Sequence, residues 1–377
     1  MRLTKAAALV AMGTLACSDA GQDKAAYVEM LTIAQTIPGP AGAAATDGFG
    51  SISGLAVTDG GDVLVADALN HVVHRFDATG VYRSSIGGRG GGPGEFNRPC
   101  CIAIDRDSRL WVRDTDGGFD VFQIDGDTTY FLRRVRMAHT DVNRYAPVTF
   151  DQDGNVIDIG TRIDPGTGER GVYRFHVDST SRVAREVRVH EPPEDSTAIR
   201  TVERSVPSGT ITHYLYQPYG PSELAAHSPR GEFAHAVSSR YAIDWRDSNG
   251  NLIRHVTFAL DKGPALSAAE KAAADTTLMQ AATGVGLVVS ELGFRVPTHK
   301  PPLHALFFDQ DGNLWVELAV ADGAPRRAHV YSPDGELVRT VEWPANVSLM
   351  GGAIRGDTAW GIARDELGVQ RLVRLAN

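Results

Sequence analysis

The side chains that could do chemistry in this chain are charged and aromatic groups at the ends of short β-rich runs. The cations Arg113, Arg144, Arg240 and Lys300 stand at such positions with Asp114, His304, Tyr145 and Tyr219. Guanidinium and ammonium groups there can donate charge-assisted hydrogen bonds to an anion, and tyrosine rings offer flat contact surface to an anionic or carbohydrate-like ligand. The bland alternative is a set of solvated turn residues with no ligand. Cys100 and Cys101 are adjacent, and two readings stay open for them. One is a vicinal disulfide with a strained backbone; the other is two thiols filling space as small apolar groups. Neither reading makes a nucleophile, because the sequence places no His and Asp pair beside them. The glycine-rich segment Gly87–Gly94 lacks the Lys-Ser/Thr and helix of a phosphate loop, and no Gly-x-Ser-x-Gly elbow occurs.

A repeated pattern must position these groups. It runs as an apolar stretch, a turn rich in Asp and Gly, and then further β-rich stretches. The clearest copy is Gly54–Val57, Gly61–Asp67, His71–Asp77 and Val81–Ile86, and it begins again at Cys101–Asp105. The first turn of each copy falls at Gly61, Ser108, Gly154, Gly231, Gly312 and Gly356, at intervals of 47, 46, 77, 81 and 44 residues. Three intervals fit one unit of roughly 45 residues, and the two long ones fit one unit plus an insertion. Four short strands cannot bury both faces alone, so copies must stack until a ring closes. The expected fold is an all-β, six-bladed β-propeller spanning 26–377, with insertions at about 191–218 and 261–296.

The last unit shows three strands, around Leu349–Ile354, Thr358–Ala363 and Gln370–Leu375, and Tyr27–Ala34 reads as a lone strand at the other end of the chain. Pairing the two closes the ring and hides two edges. In the 261–296 insertion, Ser267 and Glu270 fit a capping box, Ala272–Ala282 is rich in helix formers, and Gly284 stands where a helix could end. This predicts a helix between blades four and five. The 191–218 insertion, rich in Pro, Ser, Thr and Tyr, reads as a long loop.

On such a ring the first strand of each blade lines a central channel. Its start shares a face with the turn between the second and third strands, and that face collects the candidate residues above. A metal site would need three or more convergent His, Asp or Glu side chains. On the inner strands only Glu223 and His304 are ionisable ligands, and Asp105, Asp151 and Asp309 recur at the far ends as turn caps. The expectation is therefore no cofactor, with a divalent metal in the channel as the alternative.

The first two units carry Val65–Asp67, Asn70-His71, Phe76-Asp77 and Gly80, followed by Gly87–Phe96, Arg98-Pro99 and Ile102–Asp105. These residues resemble the NHL-repeat family, and the chain as a whole resembles exported six-bladed propeller lipoproteins of bacteria. Families of that kind include scaffolds, lyases and lactone hydrolases, so the resemblance implies the fold and leaves function to the site. Lactonases that resemble this fold carry Glu-Gly-Pro in the first inner strand, where this chain has Ser53-Gly54-Leu55. Zinc lyases on six blades would imply roles for His71, His235 and His304.

The N-terminus has Arg2 and Lys5, an apolar run Ala6–Met12, and small residues leading to Cys17. This layout predicts a lipoprotein-type signal over 1–16, lipidation of Cys17 and a tether over 17–25. Ordinary secretion with cleavage nearby is the alternative. Removing residues 1–16 leaves 35 basic against 46 acidic residues, a net charge of −11. That balance argues against nucleic acid as a partner. The expectation is an exported periplasmic or outer-membrane-associated monomer, held to the membrane only by a lipid anchor. It would bind a small molecule or an envelope protein, with a metal-dependent hydrolase or lyase and a structural envelope component as the alternatives.

Overall fold

Five glycines and one serine decide where the chain first reverses in each repeat. Gly61, Ser108, Gly154, Gly231, Gly312 and Gly356 all have left-handed backbone, with φ between 54° and 87°. Only glycine adopts that region without steric cost, so these spacings set the repeat. In the computed structural model, residues 28–40, 48–115, 118–138, 142–164, 166–189, 198–206 and 209–377 are described. The expected signal segment 1–16 and the tether 17–25 with Cys17 lie outside the described residues.

The fold is a six-bladed β-propeller. Blade 1 runs from the inner strand Ile52–Val57 to the outer strand Tyr82–Ile86, and blade 2 from Pro99–Ile104 to Thr128–Val135. Blade 3 has Val156–Ile163, Arg170–Val177 and Val183–Arg188, with its inner segment joined through a Phe150–Val156 bridge. Blade 4 runs from Glu223–His227 to Leu252–Thr257, and blade 5 from Leu303–Phe308 to Leu337–Trp343. Blade 6 contains Val347–Arg355, Thr358–Arg364 and Gln370–Ala376.

Its fourth strand comes from the other end of the chain, as the sequence predicts. Thr32–Ile37 pairs antiparallel with Gln370–Ala376. The predicted lone strand is in fact two strands on two blades, because Val28–Met30 pairs parallel with the outer strand of blade 5. Leu31, between them, donates its N–H to the Glu342 carbonyl at 2.8 Å and buries its side chain with Trp315, Val341 and Trp343. One segment therefore closes the ring and also staples its last two blades.

The core lies between blades. Apolar clusters fill the seams between blades 1 and 2, 2 and 3, 4 and 5, 5 and 6, and 6 and 1. All five tryptophans are buried. The seam between blades 3 and 4 is different in kind. There the buried Arg174 lies 4.4 Å over the Phe233 ring and donates to the Gly231 carbonyl at 3.0 Å.

The helix forms where predicted, over Ala268–Gly284, and both halves of the Ser267–Glu270 capping box are made. The 191–218 insertion is not a loop in its described part. It contains a β-hairpin, Ile199–Val206 with Gly209–Tyr216. The physical cause is that one face of this two-stranded ribbon is exposed along its length while the other buries little beyond Leu215, so the apolar alternation that marks a half-buried strand is weak. The two insertions also pack on each other, with Leu215 of the hairpin beside Leu278, Ala282 and Leu292. Both leave the ring where outer strands end and inner strands begin, at one end of the molecule.

Candidate functional site

Three residues expected to meet a ligand are committed to holding the ring together. Arg113 is fully buried; its Nη1 donates to Asp158 of blade 3 at 2.8 Å, and its guanidinium lies 4.4 Å over the Phe119 ring. The Asp114 carboxylate accepts the backbone N–H groups of Asn97 and Arg98 at 3.0 and 2.8 Å. In blade 1, Asp67 does the same for Gly50 and Ser51 at 2.7 and 2.9 Å. Burial pushes Asp67 up, but its bonds from His74, Ser51, Gly50 and Asn70 outweigh this and hold the carboxyl well below the usual carboxylate range. The same motif position thus performs the same task in successive repeats, clamping the linker that enters the inner strand. Lys300 Nζ sits 2.5 Å from Glu270 and donates to the Val320 carbonyl at 2.8 Å, which fastens the helical insertion to blade 5.

The other candidates are more open and do not converge. Arg144 is exposed and donates to the Thr115 carbonyl at 3.1 Å. Tyr219 has a left-handed backbone in a turn closed by the Gly220 N–H on the Gln217 carbonyl. Arg240 is exposed, and its backbone closes the turn on Val237. His304 is exposed beside Arg326 at 3.5 Å and Glu317 at 4.0 Å, and burial pushes the Glu317 carboxyl up to about 6. Tyr145 alone among the eight lines the central cavity.

That cavity measures about 980 Å³ and is lined by the inner strands of all six blades. Its waist is apolar and made of small residues, including Gly54, Ala56, Ala103, Ala225 and Gly351, with Phe307, Leu349 and Met350 among them. Close approach of the strands requires this. A Cβ on Gly351 would lie 1.8 Å from the Phe308 carbonyl oxygen, and one on Gly54 would lie 3.2 Å from the Ile102 nitrogen. One end of the lining is Ser53 and Tyr145. The other carries the charge, with Asp59, Arg106, Gln152, Arg230, Gln310 and Arg355.

The charged mouth is therefore built from turns between first and second strands, at the opposite end of the ring from the expected face. Sequence reasoning missed Arg106, Arg230 and Arg355, although a signal was available: each stands in the aligned turn of an alternate blade. Arg106 reaches from blade 2 to the Gln152 carbonyl at 2.8 Å, and Arg230 from blade 4 to the Asp311 carbonyl at 3.1 Å. Arg355 reaches from blade 6 to the Asp59 carboxylate at 2.5 Å. Arg106 and Arg230 bond carbonyl oxygens only and meet no carboxylate within ion-pair distance among the described residues, so their charges are not cancelled locally.

The nearby acids are already consumed. Asp105 accepts from Trp111 Nε1 and Arg109 Nε, both at 2.7 Å, and Asp309 accepts from Trp315 Nε1 at 2.9 Å. Asp151 accepts from His176 Nδ1 at 2.7 Å. Burial raises the Asp151 carboxyl, and its bonds from His176 and Asn155 more than reverse this. Gln310 crosses the same end, donating to the carbonyls of Val57 at 2.9 Å and Gly352 at 2.6 Å, and so ties blades 5, 6 and 1. The half-buried His227 lines the cavity; burial, reinforced by the Arg174 charge, pulls it down to about 3.

Among the described residues there is no group of three or more His, Cys, Asp or Glu side chains able to hold a metal ion. His71, His235 and His304 are each bound to separate partners: the Asn97 carbonyl, Glu223, and the Arg326 and Glu317 pair. Cys100 and Cys101 bring their sulfurs to 2.7 Å of each other, with no S–S bond between them. No described helix is long and apolar enough to cross a membrane.

Comparison with known proteins agrees with this architecture. A family model described as a 6-bladed beta-propeller (DUF5128) matches residues 47–153. No curated protein matches the chain. A Bacteroides fragilis protein described as exported superposes with a TM-score of 0.50 at 11% identity, over 93% of this chain and 99% of the other. The PQQ-bound aldose sugar dehydrogenase of Streptomyces coelicolor gives 0.43 at 11% identity over 92% and 97%. Virginiamycin B lyase of Staphylococcus aureus gives 0.40 at 11% identity over 88% and 97%. At 11% identity the first of these likenesses shows the fold alone.

Proposed function

We propose that this chain is an exported binding propeller that takes a small organic anion, with an apolar body, into its central channel. The observation that carries the reading is the pairing of an apolar waist with two arginines at the mouth, Arg106 and Arg230, whose charges meet only carbonyls. A cavity of about 980 Å³ is of a size to enclose such a ligand. The apolar wall favours a hydrocarbon or aromatic body, and a guanidinium not paired to a carboxylate can donate to a carboxylate, sulfonate or phosphate. Tyr145 would meet the far end of the ligand. Export is supported by the charged, apolar and small-residue order of the first 17 residues, with Cys17 as the lipidated anchor.

The test is a fluorescence titration with 8-anilinonaphthalene-1-sulfonate, which joins an aromatic body to one fixed anion. The wild type is expected to bind one equivalent. The Arg106→Ala/Arg230→Ala double variant should bind at least about tenfold more weakly, the effect of losing about 1.4 kcal/mol. Arg364→Ala, at the other end of the ring, should leave the affinity unchanged. Equal affinity in the wild type and the double variant would remove the mouth from the site.

A further inference from the structure

In an unbroken strand, neighbouring side chains point to opposite faces, so adjacent cysteines on an inner strand should not meet. Here they do. The pairing of the first two strands of blade 2 passes from Pro99 opposite Asp114 to Ile102 opposite Val112, which sets three steps on the inner strand against two on its partner. The extra residue is a β-bulge, and a bulge re-aims the side chains within it. The result is a Cys100–Cys101 sulfur separation of 2.7 Å. Cys100 is 4% exposed, while Cys101 is half-buried and faces the cavity.

Their surroundings favour a reactive pair over two inert fillers. As thiols, both donate to carbonyls of the blade 3 linker, Cys100 to Arg144 at 3.5 Å and Cys101 to Tyr145 at 3.3 Å, which fixes the two sulfurs against that linker. Arg113, fully buried, has Nε and Nη2 without a hydrogen-bond partner among the described residues. The Cys100 thiol and the Arg113 charge draw Cys101 below the usual thiol range, and the hydrogen bond with Cys101 together with burial pushes Cys100 above it. A thiolate on the cavity side is the nucleophilic form, and a protonated neighbour behind it is placed to resolve what it forms.

We infer that Cys100 and Cys101 form a redox-active vicinal dithiol that reacts with a hydroperoxide entering the channel. The Cys101 thiolate attacks the terminal oxygen of the hydroperoxide, the O–O bond breaks, and the alcohol or water leaves with a proton, giving a sulfenic acid on Cys101. The Cys100 sulfur then attacks the Cys101 sulfur. The S–S bond forms, the S–O bond breaks, and hydroxide departs with the Cys100 proton as water. Two thiols lose two electrons in total, and the hydroperoxide is reduced to an alcohol and water. The assignment is asymmetric: Cys101 reacts first because it faces the cavity, and Cys100 resolves because it does not.

Peptide mapping after treatment with hydrogen peroxide tests this, since it separates the pair from Cys17. In the wild type, the tryptic peptide 90–106 should become 2 Da lighter and resist alkylation until a dithiol reductant restores it. Cys100→Ser should accumulate a sulfenic acid on Cys101 that a 1,3-dicarbonyl reagent traps, and Cys101→Ser should leave Cys100 unmodified at the same dose. The inference is overturned if the wild-type peptide keeps two alkylatable thiols, if it is linked to a Cys17 peptide instead, or if Cys100 in Cys101→Ser reacts as fast as Cys101 in Cys100→Ser.

Discussion

At the scale of single residues, the structure divides the charged groups into those that hold the ring and those that face its channel. Asp67 and Asp114 clamp linkers, Asp105 and Asp309 clamp turns and tryptophan N–H groups, and Arg113 is sealed between blades. Ser108 occupies the one aligned turn position that lacks glycine, at φ 58°. Replacing it with glycine should relieve the left-handed strain and raise unfolding stability by about 1 kcal/mol, measured by urea denaturation. The half-buried His227 gives a pH dependence of known sign. Its native pKa, about 3, lies below the ordinary 6.5, so the unfolded chain binds the extra proton first. This histidine therefore contributes stability at neutral pH that is lost as pH falls from about 6.5 toward 3. Melting curves of wild type and His227→Gln should converge, or cross, over that window. The turn positions were legible because a left-handed residue leaves a mark in the amino acid itself. The fate of Arg113 was not legible, because an arginine in a buried ion pair and one on a rim have the same letter and neighbours.

At the scale of elements, the helix was written in its cap and composition, whereas the hairpin was hidden because Leu215 and the half-buried Val202 are nearly all that mark its inner face. The N-terminal segment was read as one strand because Tyr27–Ala34 is a single β-rich run. What divides it is Leu31, whose side chain turns into the seam between blades 5 and 6. That makes Leu31 more than a link. Leu31→Ala should cost about 2–4 kcal/mol, a core truncation rather than a frayed terminus. Urea denaturation followed by tryptophan fluorescence would detect it, since Trp315 and Trp343 share the cluster. A loss below about 0.5 kcal/mol would mean that the segment does not close the ring in solution.

At the scale of the whole molecule, the repeat determines a ring and the ring determines a channel, but the sequence does not say which end of the lining carries the charge. The insertions and the starts of the inner strands share one end, and the arginine-bearing turns stand at the other. The expected face and the arginine-lined end lie apart for that reason: family-like positions marked one end, while the charged part of the lining comes from turns whose arginines carry no motif. The apolar waist, narrowed by Gly54 and Gly351, joins both ends into one cavity of about 980 Å³.

A crystal structure of the protein soaked with 8-anilinonaphthalene-1-sulfonate tests that arrangement most directly. The account predicts the aromatic rings in the channel beside Phe307 and Met350, with the sulfonate turned toward Arg106 and Arg230. Ordered probe on the hairpin or helix, with water alone in the channel, would contradict it.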